Sequence, residues 1–394
     1  MKEFLPIILG TDHNSYTVAR IIHETYGIKS AVVGSAILVP FYKSKIADFY
    51  IQQGFSTNDK IFVETLNEVY KKNSDYDNYI VFVPTEEYLN TLYRNCDSLD
   101  FDLIIPYPNR KLASTIMIKE NAYRLLEQLS VKYPKTQIVN RDNYSNLSLD
   151  GELFLKASDY ELFNDYEFKN KKKGYYCKDK NEAISYLKDI YSSDFNGEMV
   201  VQTYIPGGDG SEYTINGYRS KNGVFSIGQA RNVLSDHRDM WIGNHIVQSD
   251  SHIEQLFEIG KKVITGLDYY GLFNMDFKMN EKTGEIYVFE INTRQGRTFL
   301  YSYLGGVNVI KAAIDDRVFN IDDEFYPTKK FNLIMQSKEA VEENLKGELK
   351  EYFEDPERLN NTHNPIVYEK DMSIARKIKI DMYLKRSDKD VFRK

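Results

Sequence analysis

Short apolar runs alternate with helix-like stretches along the first third of the chain. The runs predict buried strands at residues 4–10, 30–34, 79–84 and 101–106. Between them, apolar residues recur at helical spacing and predict helices at about residues 14–26, 61–70 and 86–94. Such alternation is typical of a doubly wound parallel sheet of the α/β class, which we assign to residues 1–112.

The rest of the chain mixes antiparallel hairpins with helices, as in α+β folds. Helices are predicted at about residues 115–129, 181–191 and 252–267. Strands are predicted at residues 153–156, 198–205, 212–218, 224–230, 272–279 and 285–291, with Asn222-Gly223 as a hairpin turn. A lysine-rich stretch at residues 165–173 has few groups that can pack, which favours a mobile loop. We divide this part into a smaller subdomain, residues 113–200, and a larger one, residues 201–394.

Composition disfavours several classes of protein. The chain has 394 residues and a net charge of −7, whereas nucleic-acid binders are more often basic. Cys96 and Cys177 form no CxxC pair, which fits a reducing compartment. The first residues lack a signal-peptide pattern, and the longest apolar run, residues 30–41, is too short to span a bilayer. We therefore expect a cytoplasmic protein with no transmembrane segment and no nucleic-acid partner.

Candidate chemistry is concentrated in the last predicted hairpin. Side chains two apart on a strand share a face, so Glu290 and Asn292 face one way and Asp276 can meet them from the partner strand. Two carboxylates and an amide oxygen are the hard ligands that Mg²⁺ takes, and Arg294 beside them can hold a phosphate or carboxylate. The alternative is an ordinary surface hairpin. Apolar neighbours such as Val288 favour burial instead, and buried charges need partners.

The strand at residues 271–277, followed by Glu-Ile-Asn-Thr-Arg at residues 290–294, resembles the metal-binding hairpin of the ATP-grasp superfamily. That fold clamps ATP between two α+β subdomains, here behind an N-terminal Rossmann-like domain. The resemblance implies that Asp276, Glu290 and Asn292 bind the Mg²⁺ that accompanies ATP. The implied activity is that of a ligase that joins a carboxylate to an amine through an acyl-phosphate and releases ADP.

Further positions match the superfamily in the order that its fold requires. The resemblance implies that Lys119 and Lys156 contact the phosphates of ATP and that Lys173 lies in the loop that covers them. It also implies that the hinge strand lies beside adenine and that Glu212 binds the ribose. The hinge residues are Gln202, Tyr204 and Ile205. Arg231 matches a cation near the transferred phosphate and is, with Arg294, an implied catalytic residue. The chain departs from the pattern in its glycine-poor covering loop, in Ala157 for a common proline, and in Gln202 for a common glutamate.

Within the superfamily the chain is similar to the D-aspartate ligases of peptidoglycan synthesis. The similarity is visible at residues 6–16, 24–27, 42–46 and 133–136. It implies that ATP phosphorylates D-aspartate and that the lysine side chain of a peptidoglycan precursor then attacks the acyl-phosphate. The amino-acid substrate is expected to contact Asp12, Asn14 and Arg294.

Three other functions remain open at this point. A different amino-acid or peptide ligase of the superfamily would share the same ATP site. A non-catalytic ATP-binding protein would share it too, although the complete set of metal ligands argues against that reading. An NAD-dependent oxidoreductase is disfavoured because the first βα turn, residues 10–15, lacks the GxGxxG pattern.

The C-terminal segment, residues 371–394, is locally basic in an acidic chain. Ile374, Ile378 and Met382 recur there at helical spacing. We expect a terminal helix that packs on the body of the protein and keeps a solvated face. A helix lying on a membrane surface is the alternative.

Overall fold

Parallel strands form the first sheet of the protein, whose structure is a computed structural model that describes residues 3–392, without the side chains at positions 160 and 161. The strands are β1 (Leu5–Leu9), β2 (Ser30–Gly34), β3 (Ala47–Ile51) and β4 (Tyr79–Phe82), in the spatial order β3-β2-β1-β4. Three helices flank them: α1 (His13–Tyr26), α2 (Asp59–Lys72) and α3 (Glu86–Asn95). The residues of β1, β2 and β4 are all buried, as expected for a parallel sheet covered on both faces. The predicted doubly wound class is confirmed.

Two details of this sheet differ from the prediction. Strand β3 was not predicted, because it lies at the edge and its side chains are mostly half-exposed or exposed. The strand predicted at residues 101–106 is reduced to an isolated bridge between Ile80 and Ile104. Pro106 and Pro108 lack an N–H group, so a longer ladder cannot form there.

The helix predicted at residues 115–129 is two helices, α4 (Arg110–Met117) and α5 (Lys119–Gln128). Ile118 separates them in extended backbone, with φ −81° and ψ 111°. The break matters for the site because it places Lys119 at the first turn of a new helix. The predicted domain boundary at residues 112/113 falls inside α4, so it divides a helix.

A second, antiparallel sheet follows. Its strands are β5 (Thr136–Val139), β6 (Leu153–Ala157), β7 (Gly174–Cys177) and β8 (Met199–Thr203), in the order β5-β8-β6-β7, with helices α6 (Tyr160–Asn164) and α7 (Lys180–Tyr191). Leu153, Leu155 and Val201 belong to its own buried core. The predicted boundary at residues 200/201 cuts β8, so this subdomain extends to the end of that strand.

The third sheet carries the predicted metal site. Its strands are β9 (Glu212–Arg219), β10 (Phe225–Ser235), β11 (His245–Asp250), β12 (Gly271–Met279), β13 (Ile286–Asn292), β14 (Asn332–Ile334) and β15 (Thr362–His363), in the order β13-β12-β9-β10-β11-β14-β15. Helix α8 (Glu254–Gly266) packs on one face through Leu256, Val263 and Ile264. The remaining helices are α9 (Leu300–Leu304), α10 (Val309–Ile314), α11 (Lys338–Asn344), α12 (Gly347–Phe353), α13 (Pro356–Asn360) and α14 (Ile374–Val391).

The C-terminal end packs on the N-terminal domain, although the prediction grouped it with residues 201–394. Buried Asp371 accepts hydrogen bonds of 2.8 Å from the Tyr16 and Ser44 hydroxyls, and Arg376 donates to the Tyr42 carbonyl at 2.9 Å. The predicted domains also include positions 1, 2, 393 and 394, which lie outside the described residues. Across residues 3–392, no helix is both long and apolar enough to cross a membrane.

Candidate active site

The hairpin of β12 and β13 lies at the edge of the third sheet. Its register pairs Asp276 with Glu290 and Asn274 with Asn292, so all four side chains share one face. The ladder is irregular between Asp276 and Phe277, next to the two carboxylates. The structure therefore brings together the three predicted metal ligands.

Asparagine side chains hold this face in a fixed orientation. The Asn292 Nδ2 atom donates to the Asn274 Oδ1 atom at 2.7 Å, and Asn274 in turn donates to the Thr214 hydroxyl at 2.8 Å. Within the described residues, the Asn292 Oδ1 atom has no hydrogen-bond partner. That oxygen is free to act as a ligand beside the two carboxylates.

The two carboxylates have opposite electrostatic surroundings. Burial, followed by the charge of Glu290, raises the pKa of Asp276 to about 7. The Lys119 ammonium lies 2.7 Å from Glu290 Oε1 and, against the effect of burial, lowers the pKa of Glu290 to about 2. Asp276 forms no ion pair among the described residues, and the Thr214 hydroxyl and the Arg294 charge only partly oppose the rise in its pKa, so a divalent cation would compensate its charge.

The donor set fits magnesium only together with phosphate. In the part of the chain that the structure describes, no three acidic, histidine or cysteine side chains converge on one point. Asp276, Glu290 and Asn292 offer two carboxylates and one amide oxygen. Mg²⁺ needs six oxygens and readily takes the others from phosphates and water. The site suits a metal–nucleotide complex better than a structural metal ion.

The three predicted lysines lie around these acids. Lys119 begins α5 and pairs with Glu290, Lys156 lies on β6, and Lys173 directly precedes β7. Burial is the main cause that lowers the pKa of Lys156, to about 8, and the charges of Lys119, Glu290 and Asp276 also act on it. Burial also lowers the pKa of Lys173. Lys156 and Lys173, on or next to the second sheet, and Lys119, on α5, therefore face carboxylates from the third sheet, across a cleft where anionic phosphates would be attracted.

The hinge after β8 offers one free backbone donor. The Tyr204 N–H group donates to the Glu152 carbonyl at 2.8 Å, whereas the N–H group of buried Ile205 has no partner among the described residues. A buried N–H group without a partner is rare, and an adenine nitrogen would satisfy it. Gln202 is internal, because its amide donates to the hydroxyls of Tyr123 and Thr136, both at 2.9 Å.

Glu212 lies beside this hinge. It pairs across the ladder with Lys278, whose Nζ atom is 3.4 Å from Glu212 Oε1. The same ammonium lies 5.5 Å from the centre of the Tyr204 ring. The structure thus brings the predicted ribose residue next to the predicted adenine strand.

Arg231 is not at the site, which corrects the prediction that it approaches the transferred phosphate. On β10 it pairs with Tyr213, while its neighbour Ala230 pairs with Thr214, on the face of the predicted metal ligands. Arg231 therefore points to the opposite face of the sheet. There it donates to the Gly210 carbonyl at 2.7 Å and lies 5.1 Å from the centre of the Tyr352 ring.

The two predicted substrate residues near the N-terminus differ in their freedom to bind. Asp12 caps α1, accepting from the Ser15 N–H group at 2.9 Å, and stays half-exposed. Asn14 is buried and fully bonded: it donates to the carbonyls of Pro84 and Gly296, both at 3.2 Å, and accepts from Gln295 at 3.0 Å. Asn14 joins the N-terminal domain to the loop after β13, so its predicted substrate contact is corrected to a structural one.

Arg294 lies two residues after Asn292 and keeps a buried donor free. Its Nη1 atom donates to the Gln295 carbonyl at 2.9 Å, while its Nε atom has no partner. Glu86, at the first turn of α3, lies near Arg294. Burial raises the pKa of Glu86, and the charge of Arg294 opposes this rise. Glu86 was not predicted as a site residue, because nothing near it in the sequence shows which loop it faces.

A second group of residues missed by the sequence reasoning surrounds Arg297. This arginine is exposed and, within the described residues, forms no ion pair or hydrogen bond. Its charge acts on His13, whose pKa falls to about 4 mainly through burial. The His13 ring lies 5.8 Å from the Tyr383 ring of α14. His13, Arg297 and Tyr383 come from three distant parts of the chain and lie together beside the cleft.

Comparison with known proteins agrees with this geometry. Residues 196–340 match a family model described as ATP-grasp in the biosynthetic pathway with Ter operon. Over 391 residues the chain is 29% identical to a D-aspartate ligase of Enterococcus faecium, covering 95% of this chain and 93% of that protein.

Solved structures share the fold at low sequence identity. N5-carboxyaminoimidazole synthetase of Staphylococcus aureus, complexed with ADP, matches with a TM-score of 0.60 and 16% identity, over 83% of this chain and 80% of that one. An L-amino acid ligase of Bacillus licheniformis matches with a TM-score of 0.58 and 13% identity, over 84% and 78% of the two chains. With the opposed carboxylates and lysines of its cleft, the chain has the ATP-grasp fold, and residues 196–340 match a family of that fold.

Proposed function

We propose that this protein is an ADP-forming ligase that activates D-aspartate as an acyl-phosphate and joins it to the lysine side chain of a peptidoglycan precursor. The observation that supports this choice is that the similarity to a D-aspartate ligase covers 95% of the chain, including the N-terminal domain. That domain contributes Asp12 and His13 beside Arg297, outside the ATP site itself. We place the reaction in the cytoplasm, where ATP is available.

The proposal assigns the ATP contacts to residues from both sheets. The Ile205 N–H group would bind adenine and Glu212 the ribose, while Lys119, Lys156 and Lys173 would offset the phosphate charge. Asp276, Glu290 and Asn292 would hold Mg²⁺, which supplies charge stabilisation to the transferred phosphoryl group. Lys119 is engaged by Glu290 at 2.7 Å, so nucleotide binding would require this ammonium to be shared with a phosphate.

The amino acid would occupy the side of the cleft where cations remain free. A carboxylate approaching a phosphate is repelled, and nearby guanidinium groups remove that repulsion. Arg294 keeps a free Nε atom, and Arg297 is free altogether among the described residues. Aspartate has two carboxylates, so one can be held by an arginine while the other receives the phosphoryl group. Asp12 is the candidate partner for its ammonium group.

Residues 165–173 would cover the bound nucleotide and exclude water from the acyl-phosphate. The segment has no regular structure, and its end is tethered because the Lys173 N–H group donates to the Asp239 carbonyl at 3.0 Å. The expectation that few of its groups pack is wrong for Phe168, which contacts Phe163 at a centroid distance of 5.2 Å. Its role as a cover remains a prediction.

The proposed activity is tested by measuring ADP release with a panel of D- and L-amino acids, each with and without a lysine-containing stem peptide. We expect turnover with D-aspartate and the peptide, and a product whose mass equals their sum minus water. Turnover only with an L-amino acid would favour an L-amino-acid ligase of the same fold. ATP binding without turnover on any pair would contradict the proposal.

Replacing Arg297 with glutamine is expected to raise the KM of the amino acid about tenfold or more, because a charge-assisted contact to a carboxylate is lost. The KM of ATP should change little, since Arg297 lies on the substrate side. Arg231→Gln is the matched control: it removes the same charge from the opposite face of the sheet and should leave both constants within about twofold of wild type. Steady-state kinetics of ADP release measure both, and equal effects of the two changes would refute the placement of the substrate.

A further inference from the structure

The C-terminal helix α14 carries an apolar stripe that the described chain leaves open. Ile374, Ile378 and Met382 lie four residues apart, and their side chains are 83%, 57% and 63% exposed. Ile380 and Leu384, on the opposite side, are buried in the core that α14 shares with the N-terminal domain. Packing on the body therefore explains one side of the helix and leaves the other side unexplained.

The charge around this stripe is positive, whereas the whole chain has a net charge of −7. Between Ile374 and Val391 the exposed cations are Lys377, Lys379, Lys385, Arg386 and Lys389, and the exposed carboxylates are those of Asp381 and Asp390. None of these cations forms an ion pair within the described residues. Lys385 and Lys389 continue the line of the stripe by helical spacing, so the exposed side is apolar in its first half and basic in its second.

We propose that this side of α14 docks on an anionic lipid membrane surface. A stripe of large apolar side chains bordered by lysines is the composition of helices that lie in the interface, with the apolar groups below the headgroups and the cations on the lipid phosphates. The positive charge of α14 favours an anionic membrane over a second copy of the chain as the partner of this surface. Two α14 helices facing each other would oppose like charges, whereas an anionic bilayer neutralises them.

Docking would bring the active site to the membrane surface. Tyr383 follows Met382 directly, and its ring faces His13 beside Arg297 at the edge of the cleft. A substrate anchored in the bilayer would then meet the ligase close to its site. Lipid binding itself does not depend on which carboxylate the enzyme activates, so it is tested separately from the proposed reaction.

The test is co-sedimentation of the full chain with vesicles of phosphatidylcholine, with and without phosphatidylglycerol. We expect binding only to the vesicles that contain phosphatidylglycerol, and its loss at high salt. The stripe variant Ile374→Gln, Ile378→Gln, Met382→Gln should lower the partition coefficient at least about tenfold. The charge variant Lys385→Gln, Arg386→Gln, Lys389→Gln should lower it about fivefold for each cation removed.

Matched controls separate docking from general effects of charge and apolar surface. Lys60→Gln, Lys71→Gln, Lys72→Gln removes the same charge from exposed positions of α2, and Ile51→Gln, Ile321→Gln removes exposed isoleucines elsewhere. These variants should bind vesicles as wild type does, and all variants should keep the wild-type thermal midpoint. Equal binding of wild type to both kinds of vesicle, or unchanged binding by the stripe variant, would overturn the proposal. Light scattering that shows a dimer lost only in the stripe variant, with no vesicle binding by wild type, would assign the stripe to a second copy instead.

Discussion

Replacing Glu290 with glutamine is expected to lower kcat for ADP release by about a thousandfold or more, because a proposed metal ligand is lost from a charged site. Glu290 pairs with Asp276 across the hairpin and lies 2.7 Å from the Lys119 ammonium. A neutral amide neither completes the metal site nor holds Lys119 in place. ADP release at saturating ATP, Mg²⁺ and substrates measures the loss.

Glu64→Gln is the matched control for this substitution. Glu64 is exposed on α2, with an ion pair to Lys60 at 3.8 Å, so its change should leave kcat unaffected. Circular dichroism and the elution volume should show that both variants fold. Turnover of Glu290→Gln within about tenfold of wild type would contradict the assignment of Glu290 as a metal ligand.

The hairpin that carries this prediction could be located from sequence because its constraints are local. Strand period places Glu290 and Asn292 on one face, and the turn between β12 and β13 sets the register that brings Asp276 opposite. No residue outside the hairpin is needed to bring these three side chains together. The three lysines could be predicted because the order of motifs in the ATP-grasp superfamily assigns each of them to a particular strand or helix end.

Arg231 shows where the same reasoning fails. On a strand, a shift of one position moves a side chain to the other face, so residues next to each other have opposite roles. Arg231 lies between Ala230 and Asn232, whose side chains share the face of the predicted metal ligands. Only the register with β9 shows that the guanidinium points away.

Residues brought together from distant parts of the chain could not be predicted at all. His13 and Arg297 meet because the N-terminal domain packs on the loop after β13, which Asn14 and Gln295 join by hydrogen bonds. These contacts have no local period or motif. The similarity to D-aspartate ligases suggested a substrate contact for Asn14, and tertiary packing gave it a structural role instead.

Asparagine at position 276 is expected to stabilise the nucleotide-free enzyme by about 2–4 kcal/mol at pH 8 while removing its activity. Burial and Glu290 raise the pKa of Asp276 to about 7 in the folded state, above the ordinary value of 3.8. The destabilisation caused by ionised Asp276 therefore reaches its full size above pH 7. It becomes smaller as the pH falls and vanishes below about pH 4. Thermal unfolding without nucleotide, with a chelator present, should show a higher midpoint for Asp276→Asn at pH 8 and no difference at pH 4.

Asp250→Asn is the matched control and should change stability in the opposite direction. Asp250 is also a buried carboxylate of the third sheet, but its Oδ1 atom lies 2.7 Å from Arg358 Nε, so the amide would leave a buried guanidinium unpaired. Asp276 has no ion pair within the described residues, and under the proposed function its compensating charge would arrive with metal and nucleotide. Saturating Mg²⁺ and ATP should accordingly stabilise wild type more than Asp276→Asn and reverse their order. If the two proteins unfolded at the same midpoint at pH 8 in both conditions, Asp276 would not be the uncompensated carboxylate on which the metal site depends.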